Sequence, residues 1–523
     1  MRRIYIILVV LIVGMIGMAY LYFSNLNTET NTNDLSLKTA ASNSALIFSF
    51  ENDKGFYDIL NGQSLIQQVI GENNSKLFSS IKKKLVEDES VNNLINGQKI
   101  YIGFSSGKDN EIDFLITTQS KSNSENLLSK LNINKTKLNK FENAFKLTFT
   151  DSTVCYVAVK NKLIIISNSL NKIENSINST NKDDNFSNFI KANSRFNKNT
   201  LANLYIDFNK IPIVLKGILH SNLVGELNVF NKQNTYAALS YNFSAERLLF
   251  NGTTAINDEN NFYQLFSSIT EQKITITSIL PDKTANYTSY AISDYSIWHK
   301  DLAKLMEIRK EDQAIKKSLQ KINETYRIDL SAQFPLYFKG QLLTFQLNTG
   351  EKFGAIALNN GDKVNQLLLD LSTEYSPEIR IFKEANIPYA FFGDPFKKFE
   401  RPFYTIINSY LVLANNASSI QSFLNSYNTN KLLINSEDYQ NFSNQLPAAA
   451  TITYYINNKN SIDIFGRNLK QPYYKKIVSK DEMGGFSAFS YQLSGDKGKF
   501  LSNILLYKTP EKSIQIDTIT IAQ

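Results

Sequence analysis

The second half of this chain repeats the hydrophobic pattern of the first, so whatever the first half folds into, the second must fold into as well. Residues 45–52, leading to Phe56 and Leu60, match residues 287–294, leading to Trp298 and Leu302, at an offset of 242. The run 97–104, closing at Gly107, matches 340–347, closing at Gly350, at an offset of 243. A second strand follows in each copy, near 112–117 and 353–358. A short helix comes next, with Leu127, Leu128 and Leu131 in one copy and Leu367, Leu368 and Leu371 in the other. Residues 164–169 match 411–416 at 247, and each strand enters a helix, through Ile173 and Ile177 or through Ile420 and Leu424. Residues 204–206 match 454–456, and 238–244 match 488–494, both at 250. One match is cheap, because strand patterns recur. A series in fixed order, with its offset held between 240 and 250, points to an internal duplication with small insertions absorbed in loops.

Each half then reads as strand, helices, hairpin, short helix, further strands, helix, strand and a final hairpin. The short turns between strands leave no room for crossover helices, so the fold class is α+β, with mainly antiparallel sheets flanked by helices. The expected division is a membrane segment at 1–23, a flexible stalk at 24–41, a first repeat domain at 42–260, a second at 261–510, and a tail at 511–523 that partly alternates like an edge strand. A groove between two such domains is a natural place for a ligand.

After Met1, Arg2 and Arg3, residues 4–23 carry no charge, and twenty helical residues span roughly 30 Å, the thickness of a bilayer core. Tyr5, Tyr20 and Tyr22 stand where interfacial aromatics belong, and the two arginines mark the cytoplasmic end. The expected placement is a single-pass signal-anchor in a bacterial inner membrane with the body in the periplasm. Cleavage after Gly17-Met18-Ala19 is the competing reading. Residues 24–41 are rich in Asn, Thr and Ser, the composition of a loose stalk.

The net charge of +8 comes from 56 basic and 48 acidic residues spread along the chain, not gathered on a face, which disfavours nucleic acid as a partner. Lys82-Lys83-Lys84, followed by Glu87, Asp88 and Glu89, reads as a solvated helix face. Cys155 is the single cysteine, so no intramolecular disulfide forms. Asn-x-Ser/Thr sequences such as that at Asn251 arise by chance in so Asn-rich a chain.

Chemistry is sparse. His220 and His299 are the two histidines, at non-equivalent places, without ligand-spaced partners for a metal. His220 reads as a helix-end or surface residue and His299 as the exposed neighbour of a core Trp298. Asp294 and Asp301 are a weak carboxylate pair for glycoside-type chemistry. Gly484-Gly485 is ordinary turn chemistry. Phe391, Phe392, Phe396, Phe399, Phe403 and Tyr404 form the densest aromatic run; it either lines a peptide or glycan surface or packs as core, with Phe403 and Tyr404 on opposite faces of a strand. No catalytic, cofactor or metal residue is assigned.

The segment 404–424, with Asn408-Ser409 before 411–416 and the Ile420 helix, resembles the recurrent segment of a family of bacterial exported proteins known only as a domain of unknown function; the first half carries a looser copy at Asn161-Lys162. That resemblance implies one N-terminal membrane segment and an exported α+β body, and no site. The expected function is that of a non-enzymatic, membrane-anchored envelope protein that binds or scaffolds an envelope protein or glycan. The alternatives are a ligand-binding module working through the interdomain groove and, behind it, a carboxylate-based hydrolase.

Overall fold

The computed structural model describes residues 34–510 apart from 62, 109–110, 122–136, 142–143, 180–183, 195–199, 222–234 and 245. Within them lies one antiparallel sheet of twenty strands. The first ten are β1 (Leu46–Glu51), β2 (Lys99–Ser106), β3 (Ile112–Gln119), β4 (Lys137–Phe141), β5 (Ala144–Thr148), β6 (Val154–Lys160), β7 (Leu163–Ser167), β8 (Ala202–Asp207), β9 (Thr235–Phe243) and β10 (Arg247–Ile256). The other ten are β11 (Thr284–Ala291), β12 (Phe338–Leu347), β13 (Lys352–Leu358), β14 (Ser372–Ser376), β15 (Ile379–Phe382), β16 (Phe403–Ile407), β17 (Tyr410–Ala414), β18 (Ile452–Asn457), β19 (Ala488–Asp496) and β20 (Lys499–Tyr507).

In the first half the strands lie side by side in the order 4-5-6-7-3-2-1-8-9-10. In the second, each strand numbered ten higher takes the same place. The halves are joined edge to edge, because β10 pairs antiparallel with β20, from Arg247 opposite Tyr507 to Thr254 opposite Phe500. Pairing these two edges removes the exposed strand that each half would otherwise present at that side.

Successive side chains on a strand point to opposite faces, so one sheet carries two cores. On the front face Phe50, Ile100 and Phe114 pack with Phe56, Leu65, Leu77 and Val91 of the helices that follow β1. In the second half Tyr290, Leu342 and Ile356 pack with Trp298, Leu302 and the aromatic run on the same face. These two cores meet over the junction, where Phe250 and Leu506 touch both. Phe486 of the second half enters the first half's core, and Phe208 of the first stacks on Tyr491 of the second at 6.2 Å. On the back face the helices Leu35–Asn43, Leu170–Ser179 and Asn185–Ser194 cover the first half, while Ala417–Asn428 and Glu437–Ser443 cover the second.

The strand register corrects one sequence match. An odd shift sends every side chain to the wrong face. Ile100 faces the front core, but Leu343, its partner at an offset of 243, faces the back; Leu342 is the front-facing residue. The glycines misled the comparison. Gly97 lies in the turn before β2, whereas Gly340, at a φ of +78°, sits inside β12 where the pairing with β13 is irregular between Phe338 and Leu342. The matches at 242 and 250 keep their faces: Phe56 and Trp298 are front core, as are Leu204 and Tyr454.

The end of the expected stalk at 24–41 is a packed helix instead. From Leu35 the chain is helical, with Asp34 capping Leu37 N at 2.9 Å and Ala40 and Ala41 fully buried. Small residues let this helix sit flush on the sheet, and their low apolar weight made the segment look like linker. Among the described residues no helix is long and apolar enough to cross a membrane. The expected span at 4–23, the helix of Leu127, Leu128 and Leu131, and the tail 511–523 lie outside the described residues.

Candidate functional site

The register brings together a row of polar side chains that no stretch of sequence contains. Across the back face, directly opposed residues of eight neighbouring strands run Ser49, Asn203, Ser240, Asn251, Asn503, Gln492, Thr453 and Ser289. The ends of the row, Ser49 at one side and Ser289, Thr453 and Gln492 at the other, are buried beneath the back-face elements. Its middle, on β8, β9, β10 and β20, is only half-buried. Asn242 and Leu501 beside it are exposed.

The row is knitted by hydrogen bonds. Asn242 Nδ2 donates to Asn251 Oδ1 at 2.6 Å, and Asn251 Nδ2 donates in turn to Asn503 Oδ1 across the junction. Ser240 Oγ and Thr200 Oγ1 reach Asn203 Oδ1 at 3.4 and 3.1 Å. Gln492 Nε2 reaches Pro447 O and Thr453 Oγ1 at 3.3 and 3.4 Å. Among the described residues, Gln492 Oε1, Ser490 Oγ and Ser289 Oγ are buried without a partner. Buried polar atoms left unpaired cost about 1–3 kcal/mol each, so the second half's side of the row holds unspent hydrogen-bonding capacity. Nothing in the row titrates. Its chemistry is hydroxyl and amide, suited to a neutral polar chain.

Where charge is buried, it does structural work. Lys210 Nζ donates to Ala41 O at 2.7 Å and pairs with Asp184 and Asp207 at 3.3 and 3.2 Å, clamping the end of the Leu35–Asn43 helix. Asp113 is held above the usual carboxylate range by burial, against a hydrogen bond from Ser169 and the charge of Lys172. Burial pushes the Lys172 ammonium down, with Asp113 opposing it.

The residues singled out in the sequence do not converge. His220 is exposed just beyond the Ile211–Ile218 helix, its N–H donating to Asn468 O at 2.8 Å. His299 is half-buried rather than exposed, stacked on Tyr295 at 5.2 Å, and burial lowers its pKa. Asp294 caps a helix through Ile297 N at 3.0 Å, and Asp301 pairs with Lys304 at 2.8 Å on the surface. Phe391, Phe392, Phe396, Phe399 and Tyr404 are buried, so that run is core and not a recognition surface. Phe403 packs on the back and Tyr404 on the front, as opposite strand faces require. Among the described residues, no His, Cys, Asp and Glu side chains group to hold a metal. A depression of about 260 Å³ beside Gly340, lined by Gln272, Ser293, Tyr295, Lys339 and Asn359, brings together no acid and base.

The sequence reading missed the row because it takes one residue per strand. Asn251 looked like one more chance Asn-x-Thr, yet it lies where the halves join. No protein-family model matches this chain, and no curated protein or solved structure matches it either.

Proposed function

We propose that this is a bacterial envelope protein, anchored in the inner membrane by residues 1–23, whose periplasmic body binds another envelope component along the polar row at the junction of two duplicated halves. The shared strand order and the face-preserving sequence matches support the duplication. The uncharged run at 4–23 supports the anchor. One observation carries the binding reading: the amide and hydroxyl row runs unbroken across the junction and is left open over Asn251 and Asn503. A neutral, hydroxyl-rich polymer such as a glycan strand matches that chemistry, with each sugar exchanging water's hydrogen bonds for those of an amide.

The test is a photo-crosslinking side chain placed at position 251 in cells, with position 375, an exposed tyrosine (64%) of the second half, as the control. An adduct at 251 that is absent at 375 is expected. Unreacted monomer at both positions would remove the reading.

A further inference from the structure

Equivalent elements of the two halves meet at Leu219 and Leu469, which form an antiparallel bridge at an offset of 250. The bonds around it are reciprocal: His220 N donates to Asn468 O at 2.8 Å, and Lys470 N to Ile218 O at 2.9 Å. The helices that lead into this bridge have diverged sharply. Asn458–Asn468 is mainly polar, with Lys459, Asn460, Ser461, Asp463 and Arg467 beside Ile462, Ile464 and Phe465. Its counterpart, Ile211–Ile218, has six residues drawn from Ile, Pro, Val and Leu, and a single charge at Lys216. Ile213 on that helix is 63% exposed. The helix's other apolar residues are wholly or partly buried. Exposing a large aliphatic side chain in water forgoes about 2 kcal/mol of burial, so the side of this helix that carries Ile213 is where a partner would gain by covering it.

The position of the helix says what. Lys210, at its N-terminus, is bonded to Ala41 at the end of the helix that begins at Leu35, the first element after the N-terminal segment. Only residues 24–33 separate the uncharged run from Asp34, and ten residues reach at most roughly 35 Å. Lys216 and Lys470, whose Nζ donates to Lys216 O at 3.0 Å, place two cations at the C-terminal end of the apolar helix. Apolar side chains flanked by lysines are the pattern of a surface that lies in the headgroup region of an anionic bilayer.

We infer that the Ile211–Ile218 helix docks the body onto the anionic membrane surface, with Ile213 inserted among the headgroups. This rests on the anchor reading above. It would set the body at a fixed orientation, not swinging on its tether.

The test uses the full chain in vesicles of phosphatidylcholine and phosphatidylglycerol, carrying Ile213→Cys labelled with an environment-sensitive dye. Cys155 is fully buried and its thiol is pushed up to about 12 by burial, so labelling falls on the new cysteine. Tyr375→Cys is the control. Lipid-borne nitroxides are expected to quench the dye several-fold more at 213 than at 375, and less at 213 when phosphatidylglycerol is omitted. Equal quenching at the two positions overturns the inference. Alkaline carbonate extraction of the wild-type chain is read separately: release contradicts the anchor, whereas retention with equal quenching contradicts only the docking.

Discussion

Lys210 and Asn460 stand at the same place in the two halves, 250 residues apart, and do the same work with different chemistry. Lys210 holds the carbonyl of Ala41, on the segment leading into β1, with its charge balanced by Asp184 and Asp207. Asn460 holds the carbonyls of Asp282 and Thr284, leading into β11, at 2.8 and 2.9 Å. What is clamped differs too: the end of a nine-residue helix, Leu35–Asn43, in the first half and the turn from Asp282 to Thr284 in the second. Strand order is common to both halves, and the side chains that secure it are not. The first half holds the helix before β1 through an ionic clamp. The equivalent place in the second is held by a neutral amide.

The largest effect should come from the front core. Trp298 is fully buried, and Trp298→Ala is expected to cost about 4 kcal/mol in denaturant unfolding. Phe56→Ala, its counterpart, removes a ring stacked on Phe50 at 4.0 Å and should cost about 3 kcal/mol. Because the front cores merge at Phe250 and Leu506, both variants should move a single transition. Two separate transitions, each shifted by one variant only, would break the picture of a shared core.

The clamps come next. Lys210→Met leaves the buried carboxylate of Asp207 without its partner and should cost about 2 kcal/mol, with faster amide exchange in Leu35–Asn43. Asn460→Ala should cost about 1 kcal/mol, because neutral hydrogen bonds contribute less. The two are further separated by salt, which screens the partly exposed Lys210 pairs and leaves the amide unaffected.

The smallest effect is a pH dependence near neutrality that His299 carries. Burial lowers the pKa of His299, so on acidification the unfolded chain takes up a proton near pH 6.5 that the folded chain refuses. Stability contributed by the neutral imidazole is therefore present above that pH and falls below it, until the folded histidine also titrates. His299→Gln should flatten this slope. The counterpart, Tyr57, has a phenol raised by burial and stays neutral throughout, so Tyr57→Phe should leave the slope unchanged.

Much of this was legible in the sequence, for a definite reason. Strand faces alternate, so matches such as 204 with 454 carried true structural information. The aromatic run from Phe391 to Tyr404 was legible as core because half of any strand and most of a packed loop must be buried. Small-residue packing at Ala40 and Ala41 was not, since alanine reads alike in a stalk and in a tightly seated helix. The polar row was beyond reach. Its members share a row only through the register of eight strands, and register depends on turns and irregularities such as the one at Gly340, which sequence patterns do not fix. The join between β10 and β20 was equally hidden, because an edge strand does not announce its partner.

That join underlies the shared core and the polar row, and a cysteine pair tests it directly. With Cys155 buried, Asn251→Cys combined with Asn503→Cys should oxidise to one intrachain disulfide, visible as a faster band on a non-reducing gel. Asn251→Cys with Leu501→Cys, slipped by two residues on the same face, should not. Failure of the first pair to close, or equal yields from both, would contradict a single sheet running through the two halves.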